Sequence, residues 1–104
     1  MEEIKKEDLS IILNSHYQQF IFIYTPFCGT CKLARRMLET IENIEGFPTF
    51  HTLNASLFPE FMQDYQVESV PCLVMMKKNQ IQEKVYAFQS VPDMYRKIES
   101  YLNR

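Results

Sequence analysis

Phe20 to Tyr24 reads FIFIY, and the eight residues after it read TPFCGTCK. The five-residue run is apolar at every position, so neither of its sides can face water. Such a strand belongs in the centre of a sheet covered on both faces. The two cysteines, Cys28 and Cys31, fall where that strand gives way to a helical pattern. From Cys31 to Ile44, Leu33, Ala34, Met37, Leu38, Ile41 and Ile44 form a stripe at helical spacing, and Gly46 can end it.

The rest of the chain fills in a sheet with helices on both faces. Glu7 to Ser15 places Leu9, Ile12 and Leu13 on one helical face. Phe47 to Leu53 reads as a second strand, with Pro48 making its start irregular. Strand, helix and strand then form a right-handed parallel unit. Leu57 to Tyr65 reads as a short helix capped by Asn54 or Ser56. Cys72 to Met76 and Gln82 to Phe88 are two strands separated by a turn centred on Lys-Lys-Asn-Gln, so they should pair antiparallel. Val91, Met94, Tyr95, Ile98 and Leu102 line one side of a last helix, with Ser90 as N-cap and Pro92 in its first turn. The order predicts an α/β fold: a central mixed β-sheet flanked by helices on both faces, in a single domain over residues 1–104.

Bulk properties exclude several classes of function. The formal net charge is −2, so no basic excess exists to grip nucleic acid phosphates. MEEIKKEDLS has no apolar stretch of the secretory type, and FIFIY is far too short to cross a bilayer. A cytoplasmic protein with no membrane partner is expected, and a monomer is the default. Three cysteines make an odd count that fits a disulfide-stapled secreted scaffold badly. A Cys-x-x-Cys pair in a reducing compartment is more often catalytic or metal-binding.

The position of the pair favours redox chemistry. Only a thiolate attacks a disulfide, and an ordinary cysteine is mostly protonated at neutral pH. A helix N-terminus offers unpaired N–H groups and a partial positive charge. Cys28 sits there, with Lys32, Arg35 and Arg36 following within two turns. Cys31, one turn on, is placed to attack a mixed disulfide on Cys28 and release the reduced substrate.

TPFCGTCK resembles the active-site stretch of the thioredoxin family, in which Trp-Cys-Gly-Pro-Cys-Lys is the commonest form. Val70-Pro71 is similar to that family's hydrophobic-residue and cis-proline pair, and the hairpin and last helix that follow also fit. The resemblance runs from about Ile4 to Leu102 and implies the thioredoxin fold, with a short first strand near Glu3 to Lys5. It implies a thiol–disulfide oxidoreductase in which Cys28 is the nucleophile and Cys31 the resolving thiol. Phe27, Gly29, Thr30, Val70 and Pro71 would form the substrate platform: Pro71 would lie beside the disulfide and the Val70 backbone would pair with an extended substrate segment. Substrates would be protein or low-molecular-weight disulfides. Electrons would come from an upstream reductase or a small thiol, with no dissociable cofactor.

Several positions depart from the family's pattern. Phe27 stands for Trp, keeping a flat apolar surface without the indole N–H. Thr30 stands for Pro, restoring an N–H and adding a hydroxyl. Extra donors near Cys28 would stabilise its thiolate and make a weaker reductant than a standard thioredoxin. Phe22, six residues before Cys28, occupies the place of a buried Asp, and the Lys that pairs with it would fall near Thr52. Cys31 then sits in a drier place, which raises its pKa and slows release. Gln80 and Ala87 replace glycines of the last hairpin and of the segment after it, which bears on turn geometry and on docking to a reductase.

Other candidates have plainer explanations. Cys72 fits a small buried hydrophobe; the sharper reading makes it a third redox thiol close to Cys28 and Cys31. A zinc site needs about four ligands, and only the three cysteines with His16 and His51 are on offer, so no metal is expected. Phe20, Phe22 and Tyr24 read as core, Met75 and Met76 as packing on opposite sides of a strand, and Met62 and Tyr65 as a buried helix face. Two alternatives to an enzyme stay open: a redox-sensing or non-catalytic adaptor on the same fold, and a thiolate carrier of a metal or cluster.

Overall fold

A computed structural model describes residues 1–104. Five strands form one mixed sheet: β1 Glu2–Glu3, β2 Gln19–Tyr24, β3 His51–Asn54, β4 Cys72–Lys77 and β5 Gln80–Val85, in the order β1-β3-β2-β4-β5. β3 runs parallel to both β1 and β2, while β4 is antiparallel to β2 and β5. The helices are α1 Leu9–Leu13, α2 Gly29–Glu42, α3 Pro59–Asp64 and α4 Val91–Leu102, with single 3-10 turns at Lys6–Asp8 and Ala55–Leu57.

β2 and β4 are the inner strands, and Phe20–Ile23 and Cys72–Met76 are all buried. Alternation sends Phe20, Phe22, Leu73 and Met75 to one side, where Ala34, Leu38 and Ile41 of α2 and Met94, Ile98 and Tyr101 of α4 meet them. Ile21, Ile23, Val74 and Met76 go to the other side, against Leu13 of α1 and Phe61 of α3. The period of two along each inner strand therefore makes two cores from one sheet. Edge-to-face contacts of Phe20 with Phe50 and with Tyr101 join the strands to α4.

Local signals set most element ends. The Ser90 hydroxyl accepts from Asp93 N–H at 3.1 Å and Pro92 lies in the first turn of α4. The Asn54 side chain accepts from Ser56 N–H at 3.0 Å, which caps the 3-10 turn, whereas α3 starts later at Pro59. Two strands are shorter than the sequence suggests. Residues 47–50 lie outside β3, since Pro48 has no N–H for a ladder. β5 stops at Val85, and Tyr86 to Phe88 leave the sheet toward the cysteines' end. The hairpin turn is made by Lys78 and Asn79, both at positive φ, so Gln80 already belongs to β5. α2 ends at Glu42 with Asn43 as C-cap, before Gly46, whose φ of +88° turns the chain toward β3.

Candidate active site

β2 ends at Tyr24, and Thr25 to Phe27 carry the chain past the end of the sheet into α2. Cys28 is the N-cap of that helix, with extended backbone and its own N–H donating to the Thr25 carbonyl at 3.4 Å. Its sulfur does what a capping Ser or Asp oxygen does elsewhere: Cys28 Sγ accepts from the Cys31 N–H at 3.2 Å. The Thr30 hydroxyl lies 3.2 Å from the same sulfur. Cys28 is half-buried, and Cys31, 2% exposed, is packed into the α2 side of the core.

These surroundings split the two thiols. Cys28 is held below the ordinary thiol range, first by its hydrogen bond with the Cys31 side chain and then by the Thr30 hydroxyl. Burial is the main cause that pushes Cys31 up to about 11, with the Cys28 bond adding to it. Cys28 is thus the thiol of the pair that ionises first. The expected help from Lys32, Arg35 and Arg36 takes a different form. Hydrogen bonds rather than those charges lower Cys28, because Arg35 lies over the Tyr24 ring at 5.9 Å and Lys32 and Arg35 wall a hollow beside Cys31. Phe22, where a carboxylate would serve Cys31, is buried and stacks on Tyr24.

Of the residues expected to form a platform, Thr30 and Pro71 line one groove. The Val70–Pro71 peptide bond is cis. Pro71 and Thr30 share a groove of about 470 Å³ with Leu33, Met37, Tyr86 and Phe88. Phe27 is 99% exposed, an aromatic ring held out in solvent one residue before Cys28. A side chain at Gly29 would project into open space, so the glycine keeps the approach to Cys28 unobstructed rather than relieving a clash. Tyr86 and Phe88 were not singled out in the sequence. Their only signal there is an aromatic pair after a strand, and the early end of β5 is what carries them to the groove. The largest concavity, about 630 Å³ between β5 and α4, is lined by neither cysteine.

Cys72 and the pair belong to different cores. Cys72 follows Pro71 in sequence, but its side chain belongs to the opposite core, with Val74, Phe61 and Val67. It is fully buried, and burial pushes its thiol up to about 11. The alternation of β4 points Cys72 and Leu73 to different sides of the sheet, so the expected third thiol lies in the other core from Cys31. No group of three or more His, Cys, Asp or Glu side chains is gathered to hold a metal ion. No helix is long and apolar enough to cross a membrane.

Residues 2–100 match the Thioredoxin family. The chain belongs to the thioredoxin family. It is 37% identical over 99 residues to the thioredoxin-like protein YusE of Bacillus subtilis, covering 95% of this chain and 92% of that one. Thioredoxin of Staphylococcus aureus is 27% identical over 85 residues, covering 81% and 82%. Among solved structures, the Malassezia sympodialis thioredoxin Mala s 13 superimposes with a TM-score of 0.81 at 16% identity, over 96% of this chain and 89% of its own. That likeness establishes the thioredoxin fold. Family membership together with the Cys28/Cys31 pair supports thiol–disulfide oxidoreductase chemistry in general.

Proposed function

We propose that this chain is a cytoplasmic thiol–disulfide oxidoreductase that reduces or exchanges disulfides through a Cys28/Cys31 dithiol–disulfide cycle. The observation that carries it is the unequal pair: a half-exposed Cys28 whose sulfur caps α2, and a buried Cys31 whose N–H feeds that sulfur. The Cys28 thiolate attacks a substrate disulfide, one substrate sulfur leaves, and a mixed disulfide forms. Cys31 then attacks Cys28 Sγ, the second substrate thiol leaves, and the Cys28–Cys31 disulfide closes. Phe27, Gly29, Thr30, Val70 and Pro71 form the surface on which an extended protein substrate, or a low-molecular-weight disulfide, lies. An upstream reductase or small thiol returns the two electrons, no cofactor is held, and the chain acts as a single-domain monomer.

Cys28→Ser should abolish disulfide reduction, and Cys31→Ser should accumulate mixed disulfides with cellular proteins. Full reduction by Cys28→Ser would sink the reading. Phe22, apolar beneath Cys31, lends some weight to the adaptor alternative, in which the thiols sense redox state without turning over. An adaptor would yield no trapped mixed disulfide from Cys31→Ser. It would still bind its partner with both cysteines replaced.

A further inference from the structure

Cys31 must lose a proton before it can attack the mixed disulfide, because only the thiolate is nucleophilic. Its place works against that. The side chain is buried, and the residue beneath it on β2 is the apolar Phe22. Cys28, while bonded to substrate, carries no charge and takes no proton.

One opening reaches Cys31 from the side. A hollow of about 170 Å³ has Phe22, Tyr24, Thr25, Cys31, Lys32 and Arg35 in its walls. A water takes roughly 30 Å³ in the liquid, so a short chain of waters fits. The hydroxyl of Tyr24, one of these wall residues, donates to Glu3 Oε1 at 2.7 Å. The Thr52 hydroxyl donates to the same oxygen, also at 2.7 Å. Glu3 and Phe22 are both register partners of Thr52, so β1, β3 and β2 contribute Glu3, Thr52 and Phe22 to one cross-strand row. The carboxylate thus stands two strands outward from the position under Cys31, and Tyr24 reaches from it back to the hollow. Burial and the Glu3 bond push the Tyr24 phenol up to about 12, so it stays protonated and can only pass a proton on. The charged and titratable groups facing this path are Glu3 of β1, Tyr24 of β2, and Lys32 and Arg35 of α2. β3 adds the uncharged Thr52, and β4 adds Leu73.

We propose that Tyr24 and Glu3 are the proton outlet of Cys31 in the resolving step, through water in the hollow walled by Lys32 and Arg35. A water takes the Cys31 proton. The Tyr24 oxygen accepts a proton from that water as its own passes to Glu3 Oε1. The Cys31 thiolate attacks Cys28 Sγ, the bond from Cys28 to the substrate sulfur breaks, and that sulfur leaves with the electron pair and takes up a proton. Over the cycle the two cysteines lose two electrons and the substrate disulfide gains two. Exposed Glu3 returns its proton to solvent. Lys32 and Arg35 stabilise the charge as it develops on Cys31.

This outlet rests on the dithiol cycle above, and 5,5′-dithiobis(2-nitrobenzoate) separates the two. Attack by Cys28 releases a first coloured thiolate, and resolution by Cys31 releases a second. In stopped flow, Glu3→Gln and Tyr24→Phe should slow the second release about a hundredfold, the lower end of the range for general-base catalysis. Both variants should also show a steeper rise of that rate with pH, and added imidazole should recover the rate in Glu3→Gln. A second release within twofold of the unaltered chain would overturn the outlet. So would slowing with an unchanged pH profile and no response to imidazole, which would mark a structural effect. If the unaltered chain released no first thiolate, the dithiol cycle itself would fall and the outlet with it.

Discussion

Thr30 is the residue that most distinguishes the Cys28 environment. Its hydroxyl lies 3.2 Å from Cys28 Sγ, and an ionised sulfur can only accept from it. The contact stabilises the reduced, thiolate-bearing form relative to the disulfide, which raises the reduction potential. Thr30→Val keeps the shape and removes the donor. Cys28 should then ionise at higher pH, and the potential should fall by roughly 10–20 mV. That is a fraction of the ~30 mV that corresponds to about 1.4 kcal/mol, because solvent screens a half-exposed sulfur. Ultraviolet thiolate absorbance and equilibration against dithiothreitol would read the two changes. An unmoved potential would mean that the Thr30 hydroxyl donates elsewhere. The sequence pointed to Thr30 because the substitution sits inside the motif. It gave no sign that the Tyr24 hydroxyl meets Glu3, since an aromatic at a strand end reads as packing.

At the scale of elements, the β4–β5 hairpin carries the clearest local cost. Lys78 and Asn79 both lie at positive φ, 51° and 63°, the pattern of a type I′ turn that favours glycine and asparagine. Asn79 suits its place. Its N–H donates to the Leu13 carbonyl at 2.7 Å and its side chain meets Asn14, tying the turn to the end of α1. Lys78 gains only a backbone bond to the Ser15 carbonyl, which glycine would keep. Lys78→Gly should therefore stabilise the fold by about 0.5–1 kcal/mol, read as a higher urea midpoint with an unchanged slope. A lower midpoint would mean that the lost chain entropy outweighs the relieved backbone. The hairpin was legible in the sequence because two β-rich runs flank a polar turn. Its register was not, since the irregularity between Met75 and Met76 belongs to the cross-strand pairing, which no local signal sets.

Across the whole molecule, stability should depend on pH on the alkaline side. Cys72 is raised from its ordinary value to about 11, chiefly by burial. Between about pH 9 and pH 11 the unfolded chain therefore holds fewer protons at this site than the folded one. Its contribution is fully present below pH 9 and is lost as pH rises through the folded value. Two units correspond to on the order of 2–3 kcal/mol. Cys31 shifts the same way, so the measurement is a comparison. Cys72→Ala should be less stable at neutral pH, since it opens a cavity, yet should lose less stability than the parent between pH 8 and pH 11. Parallel curves would show that the Cys72 thiol ionises alike in the folded and unfolded chain.

The sequence alone determined the order of elements, the covering of β2 on both sides and the placing of Cys28 at a helix start. Those follow from periodicity and from short-range capping, which neighbouring residues fix. It could not decide which residues meet across strands. The row of Glu3, Thr52 and Phe22 joins positions far apart in the chain, and only the register of β1 and β2 on β3 sets it. The placing of Cys72 is of the same kind. Sequence puts it beside Pro71, and the alternation of a strand inside a two-faced sheet puts it in the other core.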